Sequence, residues 1–276
     1  MCRMSALAAT AVALSLLPLA GWAKEKAEKP ADAAAPAPAV ATKRTKATPE
    51  QRQMAQRTDA LTRAAFWARE VDVDPSDEQA ALGLVQALRA LGNFDDATQA
   101  AQRLLMVKPD SVEGLLELAR VQIARGQGFY GIEPARKAQA LAPRDWRAPS
   151  LLAVAYEQAK RDDEALAAHR QAQALAPDNP VVLGNMGMYY AGHGDAAEAE
   201  RLLRAAAARP DAPMQVRQNL ALLLGLQGRL AEAEKIARQD LPPEMVANNM
   251  AYLRAATGQG APATTGRNWN DLRGQP

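Results

Sequence analysis

Two histidines, one cysteine and several acidic pairs are the residues of this chain whose types and spacing bear on chemistry. His169 falls at an expected helix-packing position and His193 in the turn AGHGDAAEA. Neither has a cysteine partner, a second histidine four residues away or a Glu-x-x-His pairing, the spacings that put two metal ligands on one helical face. Cys2 lies at the extreme N-terminus, ahead of an apolar run. The stretch Gly126-Gln127-Gly128-Phe129-Tyr130-Gly131 has the letters of a dinucleotide fingerprint but follows a helical pattern instead of a strand, so it cannot cradle a phosphate. There is no G-x-S-x-G and no glycine loop ending in Lys-Ser or Lys-Thr. Asp95-Asp96 and Asp162-Asp163 fall at expected helix starts, where carboxylates complement the helix dipole and are expected to cap free N–H groups. The sequence assembles no catalytic set, metal site or cofactor site, and therefore points to binding.

The elements that would position a binding surface are set out by a repeat. Pro75, Pro109, Pro143 and Pro177 stand 34 residues apart. Small residues keep the same register at Ala97, Gly131, Ala165, Ala199 and Ala233, and so does a turn column of Gly92, Gly126, Lys160, Gly194 and Gly228. Large apolar residues recur at Leu84, Leu118, Leu152, Met186 and Leu220, followed by Val85, Ala119, Ala153, Gly187 and Ala221. Physically, the small column lets a second helix approach the first, the glycine column permits a left-handed turn, and the apolar pair begins a buried helical stripe. Proline closes each unit because it cannot continue a helix. Low aromatic content, 4%, with abundant alanine agrees with an all-α chain.

A two-helix period with these columns resembles the tetratricopeptide repeat from about Glu78 to Leu241, most closely in ALRALGNFDDATQAAQRLLMVKP and LLGLQGRLAEAEKIA. Full repeats start near Glu78, Val112, Trp146, Pro180 and Met214; DALTRAAFWAREVDVDP reads as a degenerate first unit and Pro243–Thr257 as a capping helix. In the second repeat, Gly126, Gly128, Gly131 and Pro134 are expected to shorten the second helix and leave Phe129-Tyr130 in a long turn. The resemblance implies a non-enzymatic helical-hairpin solenoid whose first helices line a groove for a peptide or protein partner. Positions 2, 5, 9 and 12 of each repeat would project inward: Glu113, Leu116, Arg120 and Ile123; Arg147, Ser150, Val154 and Glu157; Val181, Gly184, Met188 and Ala191; Gln215, Gln218, Leu222 and Gly225. Asn185 and Asn219 occupy the column of the family's carboxylate-clamp asparagine, without its lysines, and either bind a ligand or satisfy neighbouring backbone. The candidate groove is thus Arg120, Ile123, Arg147, Val154, Glu157, Asn185, Met188, Gln218, Asn219 and Leu222, with Arg120 and Arg147 available to a ligand carboxylate.

Within that family, VRQNLALLLGLQGRLAEAEKIARQDLPPEMVANNMAYLRA, GFYGIE and PRDWR resemble the TadD-type proteins of bacterial tight-adherence (Tad/Flp) pilus systems. This implies an accessory protein of pilus assembly and secretion at the periplasmic side of the outer membrane, with pilus or secretion components as partners. A general cell-envelope adaptor, serving cytochrome or outer-membrane protein assembly, would share every repeat feature.

The ends read differently. Residues 1–23 carry Arg3, an apolar run from Ser5 to Ala20 and Gly21-Trp22-Ala23, the pattern of a secretory signal peptide cut after Ala23; the run is short for a membrane anchor. Cys2 precedes that run, so it is not placed as a lipoprotein cysteine. Residues 24–49 form an Ala/Pro/Lys linker, 50–258 the solenoid, and 259–276 a tail expected to be disordered. The linker holds Lys24, Lys26, Lys29, Lys43, Arg44 and Lys46 against three acids, in a chain whose net charge is only +2. The folded part therefore has no basic excess, which argues against nucleic acid as a partner.

Overall fold

A computed structural model describes residues 45–258, and every regular element among them is helical. In chain order the helices are α1 (Pro49–Gln56), α2 (Ala60–Val73), α3 (Glu78–Ala90), α4 (Phe94–Val107), α5 (Val112–Ala124), α6 (Gly128–Leu141) and α7 (Arg147–Gln158). They continue as α8 (Asp162–Leu175), α9 (Pro180–Gly192), α10 (Ala196–Ala207), α11 (Met214–Leu226), α12 (Leu230–Ala237) and α13 (Pro243–Ala256). The proposed signal peptide, the tail and nearly all of the linker lie outside the described residues. No described helix is long and apolar enough to cross a membrane.

The repeat columns become the joints of the fold. Each of the five turns between paired helices contains a residue at positive φ: Gly92 (73°), Gly126 (78°), Lys160 (59°), Gly194 (83°) and Gly228 (82°). The next residue's N–H returns to a carbonyl five residues back, as in Asn93 to Leu88 (3.0 Å), Gln127 to Gln122 (2.9 Å) and Arg161 to Tyr156 (2.9 Å). This Schellman closure satisfies carbonyls left free at the end of the first helix. The small column then meets the column that follows the large apolar one. A Cβ on Gly187 would stand 2.8 Å from Leu203 Cγ and 3.2 Å from the Ala199 carbonyl, and one on Gly131 3.2 Å from the Ala119 carbonyl. Ala97, Ala165, Ala199 and Ala233 are fully buried there.

Successive first helices also stack, α3 on α5, α5 on α7, α7 on α9, α9 on α11 and α11 on α13. They make one continuous face, to which α13 contributes as if it opened another repeat. Val246, Met250 and Leu253 bury the inner stripe of α13 in the cluster that includes Leu220 and Leu224. This covers an apolar end that would otherwise face water.

Three local expectations require correction. First, α6 runs its full 14 residues, and Phe129-Tyr130 lies in its first turn, exposed. The glycines serve close packing: a Cβ on Gly128 would come within 2.8 Å of the Ala155 carbonyl. Pro134 removes one N–H at the middle of the helix, and α6 continues through it to Leu141. Second, the end of the expected linker is held to the body. The Ala47 N–H donates to Glu70 Oε2 (2.9 Å), Lys46 Nζ lies 2.5 Å from Asp74, and Thr48 caps α1 reciprocally with Gln51. Arg52 completes this latch, donating to Glu70 (2.9 Å) and Asp77 (2.7 Å) and lying over the ring of Trp67. Third, the acidic pairs at the starts of α4 and α8 lie in the first helical turn but make no capping bond to backbone. Asp96 accepts from the Asn93 amide instead, and Asp95 pairs with Arg125.

Candidate functional site

The stacked first helices carry every residue expected in the groove, and the structure divides them by position. Position 5 lies beneath the face in three repeats, where Leu116, Ser150 and Gly184 are buried because that position turns toward the neighbouring helix, while Gln218 of the fifth is half-buried. Positions 9 and 12 sit at the surface or half-buried, except Gly225, which is buried against Leu253 of α13. Ile123 and Met188 pack their flanks on the repeat cores and Val154 is half-buried.

Most polar candidates on this face are already engaged. Arg147, expected to be free, is clasped: Nε and Nη2 hold Asp145 at 2.6–3.0 Å while Nη1 and Nη2 hold Glu113 at 2.9 and 2.6 Å. The hydrogen bonds from Arg147 hold the Asp145 carboxyl below the usual carboxylate range, and Arg120 adds to the effect across space. Arg147 is itself raised by Asp145 and then Glu113. Arg120 donates from Nη1 to Glu117 (2.7 Å). Glu157 Oε1 lies 2.6 Å from Nε2 of His169, and Asn185 donates to Ser150 Oγ (3.1 Å), not to backbone. His193 ends α9, its ring stacked on Tyr189 at 4.1 Å. Among the described residues no cluster of His, Cys, Asp or Glu could hold a metal ion.

The far end of the face is different. Gln218, Asn219 and Leu222 of α11 come together with Asn249, Met250, Tyr252 and Leu253 of α13 around a cleft of about 220 Å³, floored by Ala221 and Ala237. Leu222 is 40% and Tyr252 67% exposed, large apolar surface left facing water. The rim is amide. Gln215 donates to Asn219 Oδ1 (3.0 Å), the Asn219 NH₂ makes no hydrogen bond among the described residues, and Asn249 is exposed. Arg217 anchors α11 by clasping Asp240 at 2.6 and 2.7 Å, which keeps the Asp240 carboxyl low. Sequence reasoning found the α11 wall of this cleft and missed the α13 wall. The signal was present: Asn249 and Tyr252 lie three residues apart beside the buried stripe Val246-Met250-Leu253.

Comparisons with known proteins agree with this architecture. Tetratricopeptide-repeat family models match residues 77–121, 132–180 and 185–244, together more than half of the chain. Among solved structures, a thermophilic tetratricopeptide-repeat protein of Thermus thermophilus is 28% identical; the alignment covers 65% of this chain and 98% of that one, with a TM-score of 0.57. A tetratricopeptide-repeat protein from Parabacteroides merdae is 13% identical over 74% of this chain and 79% of its own, with a TM-score of 0.61, a likeness of fold alone. The curated proteins contain no match.

Proposed function

The chain belongs to the tetratricopeptide-repeat family, and from that premise we propose that it captures a peptide segment of a protein partner, anchored in the cleft between α11 and α13. Such repeats mediate protein–protein contacts, and the chain is read as a scaffold without enzymatic chemistry. One observation supports the place: exposed Leu222 and Tyr252 stand here beside amides with spare hydrogen-bonding capacity, whereas Arg147, Glu157 and Asn185 along the middle of the face are engaged within the protein. An apolar side chain of the guest fits the floor, and Asn219, Asn249 and Gln218 suit the N–H and C=O groups of its backbone. Selection from a displayed peptide library, followed by photo-crosslinking from position 252, tests this. Peptides with an apolar anchor, crosslinked to α11 and α13 and lost in Leu222→Glu, are expected. Crosslinks elsewhere, or undiminished binding by Leu222→Glu, would overturn it.

The finer reading rests on sequence. Val216 to Ala255, the stretch that resembles TadD-type proteins, also builds both walls of the cleft. We propose export through the N-terminal apolar segment to the periplasm and service there in Tad/Flp pilus assembly, the guest being a pilus or secretion component. Deletion of the coding sequence should abolish surface pili, and Leu222→Glu should fail to restore them. Normal piliation of the deletion strain would end this assignment.

A further inference from the structure

At the opposite end of the same face, a recess of about 400 Å³ is lined by Gln56, Arg63, Gln86, Arg89, Glu117 and Arg120, with Gly83 and Ala90. Three guanidinium groups meet one carboxylate there. Glu117 is only 3% exposed, and its Oε1 receives Arg120 Nη1 (2.7 Å) and Gln86 Nε2 (3.2 Å). Its Oε2 lies 3.4 Å from Arg89 Nε, and neither of these two buried atoms completes a hydrogen bond. Glu117 therefore underlies the recess and pins two arginines from below. Arg89 makes no hydrogen bond among the described residues, Arg120 makes one, and Arg63 spends Nη1 on the carbonyls of Thr58 (3.0 Å) and Gln56 (3.5 Å). The remaining N–H groups of all three have no protein acceptor among the described residues.

Arg63 stands where every later repeat has a small residue, 34 positions before Ala97. Its unit has only the eight-residue α1 as first helix, and the arginine occupies the space a packed helix pair would close. Gly83 puts no side chain into the recess for a separate reason: fully buried Trp67 fills its Cβ position, since a Cβ there would lie 2.5 Å from the indole. The recess is thus roomy, cationic and rigidly floored.

We propose that this recess receives the carboxylate of an acidic residue in the guest peptide, an inference that rests on the groove reading above. Guanidinium groups engage carboxylates through paired N–H donors, and two adjacent arginines can do so from different helices. With three guanidinium groups over one carboxylate the recess stays net positive, and the planar two-oxygen carboxylate matches the fork of a single guanidinium.

The test measures anisotropy of a labelled peptide of alternating leucine and glutamate on the full-length protein, beside its glutamine and phosphoserine counterparts. The glutamate peptide should bind about tenfold tighter than the glutamine one, as expected for a desolvated charge pair. Arg89→Gln with Arg120→Gln should erase that difference at unchanged helicity. Equal affinity of wild type for glutamate and glutamine peptides, or no binding of either, overturns the proposal without reliance on any variant. Preference for phosphoserine that depends on the same arginines also overturns it. Leu222→Glu separates the two readings: if it alone loses the peptide, the cleft stands and the recess fails; if only the arginine variants do, the reverse holds.

Discussion

Glu157 Oε1 lies 2.6 Å from Nε2 of His169, which is 1% exposed. The carboxylate is acceptor-only, so the imidazole must carry its proton on Nε2 and donate. His169 falls in the column that holds Trp67, Ala101, Ala135, Leu203 and Ala237 in the other units, all buried. A polar ring fits there because Glu157, on the first helix of the same repeat, closes the bond. His169→Ala should therefore cost about 2–4 kcal/mol, combining a cavity with an unpaired Glu157. Glu157→Gln retains an acceptor and should cost less than about 1.5 kcal/mol while leaving peptide binding intact. Urea unfolding of both variants checks the order; equal losses would remove the bond from the account of stability.

Lys160 is the non-glycine among five left-handed turn positions, at φ 59°. The left-handed region costs a side-chain-bearing residue roughly 1–2 kcal/mol, partly offset by glycine's greater freedom when unfolded. Lys160→Gly should accordingly stabilise by about 0.5–1 kcal/mol. Gly194→Ala should destabilise by about the same amount, since nothing crowds the site and only the backbone angle matters. Thermal melts of the two variants should move in opposite directions.

At Gly83 the objection is space. A Cβ there would lie 2.5 Å from two indole carbons of Trp67, a ring with no exposed surface and no flexible end to give way. Gly83→Ala should cost about 1–3 kcal/mol by overpacking. Because the glycine also borders the arginine recess, Arg89 should shift with it, and the loss should appear in acidic-peptide affinity as well as in melting temperature.

How far these features were legible follows from where the information sits. The solenoid was readable because each joint recurs: the residue types at Gly92, Ala97 and Pro109 return every 34 positions and report the turn, the close contact and the stop. The latch was not. Lys46-Ala47-Thr48 belongs by composition to a linker, and only the fold brings Glu70, Asp74 and Asp77 to it. The α13 wall of the cleft was missed because groove positions were counted within repeats, and α13 lies beyond the last one. Gly128 and Pro134 misled in the opposite direction, breakers by type that pack inside a full-length helix.

Acidification should open the N-terminal end. The hydrogen bond from Arg52 holds the Asp77 carboxyl below its ordinary value, and that from Lys46 does the same for Asp74. A carboxyl depressed in the folded state contributes stability that is complete above its unfolded pKa of about 3.9 and drains as pH falls toward the folded value. Stability should therefore be flat from neutral pH to about 5 and decline below about 4. Asp77→Asn should lower the plateau and shallow the decline. A decline as steep in Asp77→Asn as in wild type would assign the acid sensitivity elsewhere.

The final prediction concerns Arg147, which the sequence offered as a free hook and the structure shows as a clasp. Glu113 and Arg147 are both second positions of adjacent repeats, so their 34-residue separation alone places them side by side on stacked helices. Asp145, only two residues before Arg147, takes the rest of the fork. Replacing Arg147 with Glu would leave Asp145 half-buried and Glu113 unpaired, and would set a third carboxylate between them. The cost should be about 1–3 kcal/mol of folding stability, well above the roughly ±0.5 kcal/mol of an ordinary surface change. Arg120→Gln, by contrast, leaves the clasp intact and acts through the recess that it shares with Arg89. Unfolding and peptide binding measured on both should separate: Arg147→Glu melts earlier, and Arg120→Gln loses acidic-peptide affinity with less loss of stability. If Arg147→Glu keeps wild-type stability but loses the peptide, Arg147 contacts the guest after all, and its bonds to Asp145 and Glu113 must yield when the guest arrives.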